Sequence, residues 1–509
     1  MNMKSNILEI LGVAGKEDII TNLLAHAVEY SPTFRHRFLD LLCGITNHLD
    51  ANEFKVMTRT QAGSAGIPDL VVAVKYEAES ALVVIENKLK AEEGDDQTSR
   101  YQQPESIHSL KAKARFFPEN EEVHEYLVFL TLFPESPSGE KFVNKIYRDL
   151  YPLLDDLPFN ENATSDLLLR DFRDILREFY SFEKISLSDL ILERLRGNAV
   201  LDGPYLYFTR LFENVALPCG LWLESTFRSS AQGRRFYGAQ FYKEGWCLNS
   251  FQETDGKRTP LDPIRDRNIH FEPQFNIINQ TFSIYLHYEI SPYRPDKWAR
   301  ENIKESHYQA YRLVRTWVTK FLQNAEIQEY ESGGGSNQIG KAVLPIDNST
   351  TVEKFYEMFH AVLARTVPAI DEALSVSEAF SFSLIDLVEA INNIAAFCKS
   401  KKYHFSLSET ADEYGLYFQN EGGKNILWAG IWCSRWFSSH LPLCLAVHES
   451  AGDWSQESLL KFKNMGKGKF ELFENHAVRD ITITSDSDNV AQYLMREIEE
   501  LLFNSVNLA

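Results

Sequence analysis

The residues with the most chemical content lie in the first third of the chain: Pro68-Asp69, followed by Glu86-Asn87-Lys88 at the end of a mostly apolar stretch. Two carboxylates with a free coordination face can hold Mg2+ against a phosphodiester, because magnesium prefers oxygen ligands and keeps several waters. The ion then polarises the phosphoryl group. An amine such as that of Lys88 beside it positions the attacking water or stabilises charge developing on the phosphate. The backbone carbonyl of Asn87 lies between the two motif side chains and is a further candidate ligand. Unpaired charge within apolar strands is costly, which favours a purpose for these groups over a partly exposed Glu-Lys pair at a strand end.

The elements around them must bring these groups together. Residues 68–76 and 81–88 read as two strands of a hairpin, rich in Val, Ile and Leu and joined by the polar stretch 77–80. With the turn centred between Ala78 and Glu79, Asp69 is expected opposite Lys88, with Glu86 as its diagonal neighbour on the same face. A slip of one residue would send the groups to opposite faces. Before the hairpin, Ile19, Ile20, Leu23, Leu24, Ala27 and Val28 recur at helical spacing, and residues 55–60 read as another strand. After it come a helix interrupted at Pro104 and an apolar strand over 124–133 that stops at Pro134. The predicted order is helix, three strands, helix, strand. An amphipathic helix over 164–180 closes this region.

The motif Pro68-Asp69 and Glu86-Asn87-Lys88, set in an αβββαβ order, resembles the PD-(D/E)XK nuclease superfamily. Further features are similar to a large bacterial branch of it: Glu17 on the opening helix, Gln97 and Tyr101 on the helix after the motif, and the segments over 128–139 and 145–154. The likeness covers about residues 1–180. It implies an α/β (α+β) fold with a restriction-endonuclease-like core, Asp69 and Glu86 as metal ligands and Lys88 as the catalytic lysine. It further implies Glu17 as an auxiliary acid, and Gln97 and Tyr101, one helical turn apart, as residues that fix the lysine or the phosphate. The implied cofactor is Mg2+, with Mn2+ able to substitute. For Glu17 the alternative is a helix N-terminal charge, and for Tyr101 a packing aromatic.

The chain has 509 residues, 44% of them hydrophobic and 24% charged, which is ordinary for a globular protein of two or three domains. Three regions are expected: 1–185, the nuclease-like domain; 198–328, β-rich and ending in a long helix; and 345–509, helical, then β-rich, then helical. A net charge of −20 argues against non-specific coating of nucleic acid, which rests on many Lys and Arg contacts. It leaves room for a local basic track, for which Arg100, Lys111, Lys113 and Arg115 are candidates, a solvated helix face being the alternative. The six cysteines stand apart, without a CxxC pair, and suggest core thiols. With no membrane-length apolar run, a cytoplasmic protein is expected.

Residues 332–341 contain glycines and Lys341 but no GxxxxGK frame, so a loop or linker is the reading there. His440, His448 and Glu449 lack HExxH spacing and read as strand-end polar residues. The later aromatics, Trp222, Tyr237, Phe241, Trp246, Tyr285, Tyr288, Trp428, Trp432 and Trp436, follow strand alternation and read mainly as core, with a base-stacking or partner-binding face as the alternative.

Together these features lead to an Mg2+-dependent endonuclease on DNA, homo-oligomeric, with the C-terminal regions recognising a partner or trigger. By family analogy its setting is antiviral defence or restriction. Two alternatives stay open at this level: cleavage of RNA by the same site, and a non-catalytic scaffold that keeps a nuclease fold as a binding module.

Overall fold

The computed structural model describes residues 6–506 except 45–48, 77–78, 90–92, 95, 119–120, 197–200, 230–234, 249–250, 255–256, 261–266, 290–299, 302–303, 323–327, 330–336, 379–383, 411, 420, 449–469, 474–475 and 484–489. The chain divides into two compact units, Met1–Leu211 and Phe212–Ala509. No described helix is long and apolar enough to cross a membrane.

The first unit opens with α1 (Ile7–Ile10), α2 (Glu17–Tyr30) and α3 (Pro32–Cys43). Ile20, Leu23, Leu24, Ala27 and Val28 form the buried stripe of α2, while Glu17 and Asp18 occupy its first turn, where the helix dipole favours acids. α3 starts at the Ser31 cap with Pro32 in its first turn and stops at Gly44, whose left-handed conformation suits a residue without Cβ.

A five-stranded mixed sheet follows, in the order β1 (Leu49–Thr58), β2 (Leu70–Tyr76), β3 (Glu79–Lys88), β4 (Val123–Thr131) and β5 (Val143–Ile146). The first three strands are antiparallel, whereas β3, β4 and β5 run parallel. β2 and β3 are almost continuously apolar because both faces are covered. On one face, Val71, Ala73, Leu82, Val84 and Phe129 pack with Tyr101, Ile107 and Leu110 from α4 (Gln97–Tyr101) and α5 (Pro104–Ala114). α2 lies against β1 and β3, and packs with α7 (Ala163–Ser181), which in turn contacts α6 (Tyr147–Asp155).

The expected αβββαβ order is therefore present, including the helical break before Pro104 and the closing helix, α7. The sequence reading passed over β5: it is four residues long and carries Asn144 and Lys145, too short for alternation to register.

Among the described residues, the second unit contains a two-stranded antiparallel sheet, Phe251–Thr254 with Lys257–Pro260, and two larger antiparallel sheets. The first runs in the order Gln328–Glu329, Gln338–Leu344, Thr281–Glu289, Arg267–Asn276, Phe236–Lys243, Leu221–Ser229. The second runs Phe405–Glu409, Glu413–Gln419, Asn425–Trp432, Leu443–His448, His476–Asp480, Glu471–Phe473. Arg267–Asn276 is central in its sheet despite Pro273, a residue that argues against a central strand. Pro273 interrupts the alternation of Ile269, Phe271 and Phe275, and this segment is not among the strands read from the sequence. Of the loop expected over 332–341, residues 332–336 lie outside the described residues, and Gln338–Lys341 belong to a strand.

Candidate active site

The site grows from the open end of the β2–β3 hairpin. Leu70 pairs with Ile85 and Tyr76 with Glu79. One further step of the ladder sets Asp69 against Glu86, not against Lys88 as the sequence reading expected. Glu79 and Ser80 already belong to β3 and pair with Tyr76 and Lys75, a register different from one with the turn between 78 and 79. The correction moves the partner by two positions, which preserves alternation, so the carboxylates still share a face.

At this end Asp69 Oδ2 accepts a hydrogen bond of 2.9 Å from the backbone N–H of Asn87. Glu86 is 1% exposed, and its Oε1 accepts from Lys88 Nζ at 2.6 Å. Its other oxygen, Oε2, is buried with no hydrogen-bond partner among the described residues. Burial, and then the charge of Asp69, push the Glu86 carboxyl up to about 7. Asp69 is raised for the same first reason, against the Asn87 N–H and Lys88, which favour its ionised form. Burial disfavours the Lys88 ammonium, yet the neighbouring carboxylates outweigh that and keep its pKa above the ordinary value.

Glu17, at the first position of α2, accepts from the backbone N–H of Leu89 at 3.0 Å, just past the motif lysine. Its charge reaches both Asp69 and Lys88. On α4, Gln97 Nε2 donates to Tyr101 Oη at 2.9 Å. The Tyr101 ring is buried, its phenol raised by burial and by the charges of Glu86 and Asp69. A Cβ on Gly66 would stand 3.1 Å from that ring, so glycine admits the tyrosine beside the Pro68-Asp69 turn.

Residues 52–179 match the family model described as the PD-(D/E)XK nuclease superfamily. This segment is similar to that superfamily. No curated protein and no solved structure shows a significant match to the chain. The matched segment includes Asp69, Glu86, Lys88, Gln97 and Tyr101, whereas Glu17 precedes it.

Several residues that support the site are not among those read from the sequence. The side chain of Asn87 points away from the carboxylates: Nδ2 donates to Thr21 Oγ1 at 3.0 Å, and Oδ1 accepts from the Tyr147 hydroxyl at 2.7 Å. This buried chain ties β3 to α2 and α6. Thr21 lies four residues after Glu17, on the same helical face, and that spacing was the available signal. Tyr147 lies in the segment over 145–154 that the resemblance singles out, but nothing there marks its contact with Asn87.

α4 has a comparable support. Its cap residue Asp96 is left-handed and makes no side-chain cap bond, and Glu93 substitutes for it. Glu93 Oε1 accepts from the N–H and hydroxyl of Thr98 at 2.5 Å, and its carboxylate also takes Ser138 N–H and Oγ. These bonds outweigh burial and hold the Glu93 carboxyl below its ordinary value. Gly139 lies against the Thr98 backbone, where a Cβ would meet the carbonyl at 2.8 Å.

The basic candidates are not gathered at the carboxylates. Lys111 pairs with Glu125 at 2.7 Å, and Glu125 opposes Leu82 whereas Lys88 opposes Thr131. Six residues of strand separate the two places, roughly 20 Å. Lys113 donates to the Gln61 carbonyl, and Arg115 is an exposed left-handed residue closing α5. Only Arg100, exposed and next to Tyr101, stays on the same helix as the site residues.

The donor set fits a divalent cation. A buried carboxylate oxygen without a partner, beside a second carboxylate whose charge it resists, is a pair of hard oxygen donors that a cation would satisfy.

In the second unit, Tyr237, Phe241, Trp246, Tyr288, Trp428, Trp432 and Trp436 are buried, while Trp222 is 42% exposed. Trp428 and Trp432 also line a cleft with Tyr417, Lys424 and His476. His448 pairs with His476 across two strands, His440 caps a short helix, and Glu449 lies outside the described residues.

Proposed function

We propose that the protein is an Mg2+-dependent endonuclease that hydrolyses phosphodiester bonds in DNA. The observation that carries this reading is the unpartnered Glu86 Oε2, held beside Asp69 and next to the Lys88 ammonium in a superfamily of nucleases. Asp69, Glu86 and the backbone carbonyl of Asn87 would hold the ion, with Mn2+ able to substitute. When bound, Mg2+ supplies Lewis-acid polarisation of the scissile phosphate.

The rest is work for the protein's own groups. Lys88 has three donors; one goes to Glu86 Oε1, which aims the ammonium and leaves two for the attacking water and a phosphate oxygen. Glu17 holds the backbone after Lys88 and so fixes where β3 ends. Tyr101 and Gln97 form the wall beside the carboxylates, where the phosphate backbone enters, and Arg100 offers it a cation. Two copies of such a site are needed to cut both strands, so a homo-oligomer follows. An unrestrained nuclease would damage its own cell, and residues 212–509 are the place for targeting or restraint, as in a bacterial defence effector.

The test is incubation of the purified full chain with supercoiled DNA, linear DNA and RNA in Mg2+, Mn2+ or EDTA, beside Asp69→Ala and Lys88→Ala. DNA cleavage that requires metal and is lost in both variants is expected. Cleavage undiminished in either variant overturns the site. Cutting of RNA alone overturns the substrate, and absence of both cutting and calorimetric Mg2+ binding overturns the enzyme reading in favour of a scaffold.

A further inference from the structure

Within the second unit, the neighbouring strands Arg267–Asn276 and Thr281–Glu289 gather four ionisable side chains on one face. His270 pairs directly with His287 across the ladder, Glu289 pairs with Asn268, and Glu272 pairs with Tyr285. Alternation sends Ile269, Phe271 and Phe275 to the opposite face, where Phe282 packs on Phe355. Three of the four are buried, with His270 3% exposed, Glu289 7% and Glu272 9%, and the side chain of His287 is 12% exposed.

Their spacing is unusual for a hydrogen-bonded network. Glu272 Oε2 stands 3.9 Å from His270 Nε2 and 3.8 Å from His287 Nε2, and Glu289 Oε1 stands 3.8 Å from His287 Nδ1. These separations exceed a hydrogen bond. His270 Nδ1 and His287 Nε2 are buried without a hydrogen-bond partner among the described residues. One ligand atom each from His270, His287 and Glu289 lies within 4.8 Å of the other two. Ligands around one tetrahedral zinc, at about 2.0–2.1 Å from it, stand about 3.4 Å apart, so a small contraction closes the set.

We propose that His270, His287 and Glu289 bind a divalent transition-metal ion, with zinc as the fitting member, and that Glu272 is the carboxylate that orients the two imidazoles. Imidazole nitrogens select such an ion over Mg2+, which separates this site from Asp69 and Glu86. The orienting shell is built: Asn337 Nδ2 donates to Glu289 at 2.9 Å, Gln274 donates to Glu272, and the Tyr242 ring stacks on His270 at 5.1 Å. The rings of His270 and His287 stack at 4.8 Å and 17°, a geometry that two imidazolium cations would resist. An ion here would cross-link two adjacent strands of the sheet.

The experiment uses the full chain, dialysed against metal-free buffer, with zinc measured by elemental analysis and by titration, and Co2+ added as a visible probe of tetrahedral coordination. About one zinc per chain is expected, together with tetrahedral Co2+ absorption. Affinity should fall roughly tenfold or more in His287→Ala and in Glu289→Gln, and be unchanged in Asp69→Asn. Wild type that takes up neither ion overturns the proposal. Undiminished binding in a folded His287→Ala or Glu289→Gln overturns it too, and circular dichroism identifies which variant is folded. Since Asp69→Asn disables only the nuclease site, zinc retained there keeps the two readings separable.

Discussion

Asn87 donates its backbone N–H to Asp69 Oδ2 at 2.9 Å while its side chain, on the opposite face of β3, bridges Thr21 and Tyr147. The residue between the acidic and basic motif positions thus does two jobs. Its main chain aims one carboxylate, and its amide fastens the strand to α2, the helix that presents Glu17.

Asp69 and Glu86 repel each other in a partly dry site, a cost that a cation relieves. Asp69→Asn removes one charge and keeps an acceptor for the Asn87 N–H. Without metal, Asp69→Asn should therefore melt above wild type, by about 1 kcal/mol of stability. In Mg2+ at a hundred times the dissociation constant the order reverses, because wild type gains about 2.7 kcal/mol and the variant almost nothing. Scanning calorimetry in EDTA and in Mg2+ checks both halves. A variant that is less stable in EDTA would show that the carboxylates are not in conflict.

Lys88→Ala removes a donor aimed at the developing charge, and the hydrogen bond to Glu86 Oε1 with it, while leaving both proposed metal-binding carboxylates in place. The turnover rate should fall about 10²–10³-fold, with calorimetric Mg2+ binding kept within a few-fold. Loss of Mg2+ binding in this variant would instead make Lys88 a structural partner of Glu86.

The site was legible in sequence because strand periodicity is local: apolar runs revealed β2 and β3, and charges interrupting them revealed Asp69, Glu86 and Lys88. The exact pairing was not, since turn geometry decides it and the polar stretch 77–80 permits more than one centre. A shift of two left the shared face intact, which is why a wrong partner still led to the right grouping. The segments of Ser138 and Tyr147 stood out, but their contacts with Glu93 and Asn87 did not, because they bridge residues 45 and 60 positions apart. The pair His270 and His287 was missed for a related reason: Pro273 hid one of the two strands that bring them together.

Tyr147→Phe leaves Asn87 Oδ1 buried without its donor. Stability should fall by about 1–3 kcal/mol, the cost of an unsatisfied buried acceptor. Cleavage should weaken through displacement of β3 against α2 and recover partly at lower temperature. Chemical denaturation of the variant beside Thr21→Val, which removes the other partner of Asn87, checks this. If the two effects on stability add without coupling, the chain does not act as one unit.

Glu93 contributes through its ionised form. Its folded pKa lies below the ordinary 4.5 because Thr98 and Ser138 donate to the carboxylate against the opposing effect of burial. A carboxylate depressed in the folded state adds stability that is fully present above the unfolded value and is lost as pH falls through the folded one. At neutral pH, Glu93→Gln should cost about 1 kcal/mol, discounted for the partial exposure of the side chain. The gap between wild type and variant should narrow below about pH 4.5 and close under stronger acid. Thermal melts between pH 7 and pH 3 measure it. Because Glu93 replaces the missing side-chain cap of α4, the variant should also loosen Gln97 and Tyr101 and slow cleavage several-fold at neutral pH, where Mg2+ binding is unchanged. A constant gap across the whole pH range would mean that hydrogen-bond geometry alone, and not the charge of Glu93, holds α4 in place.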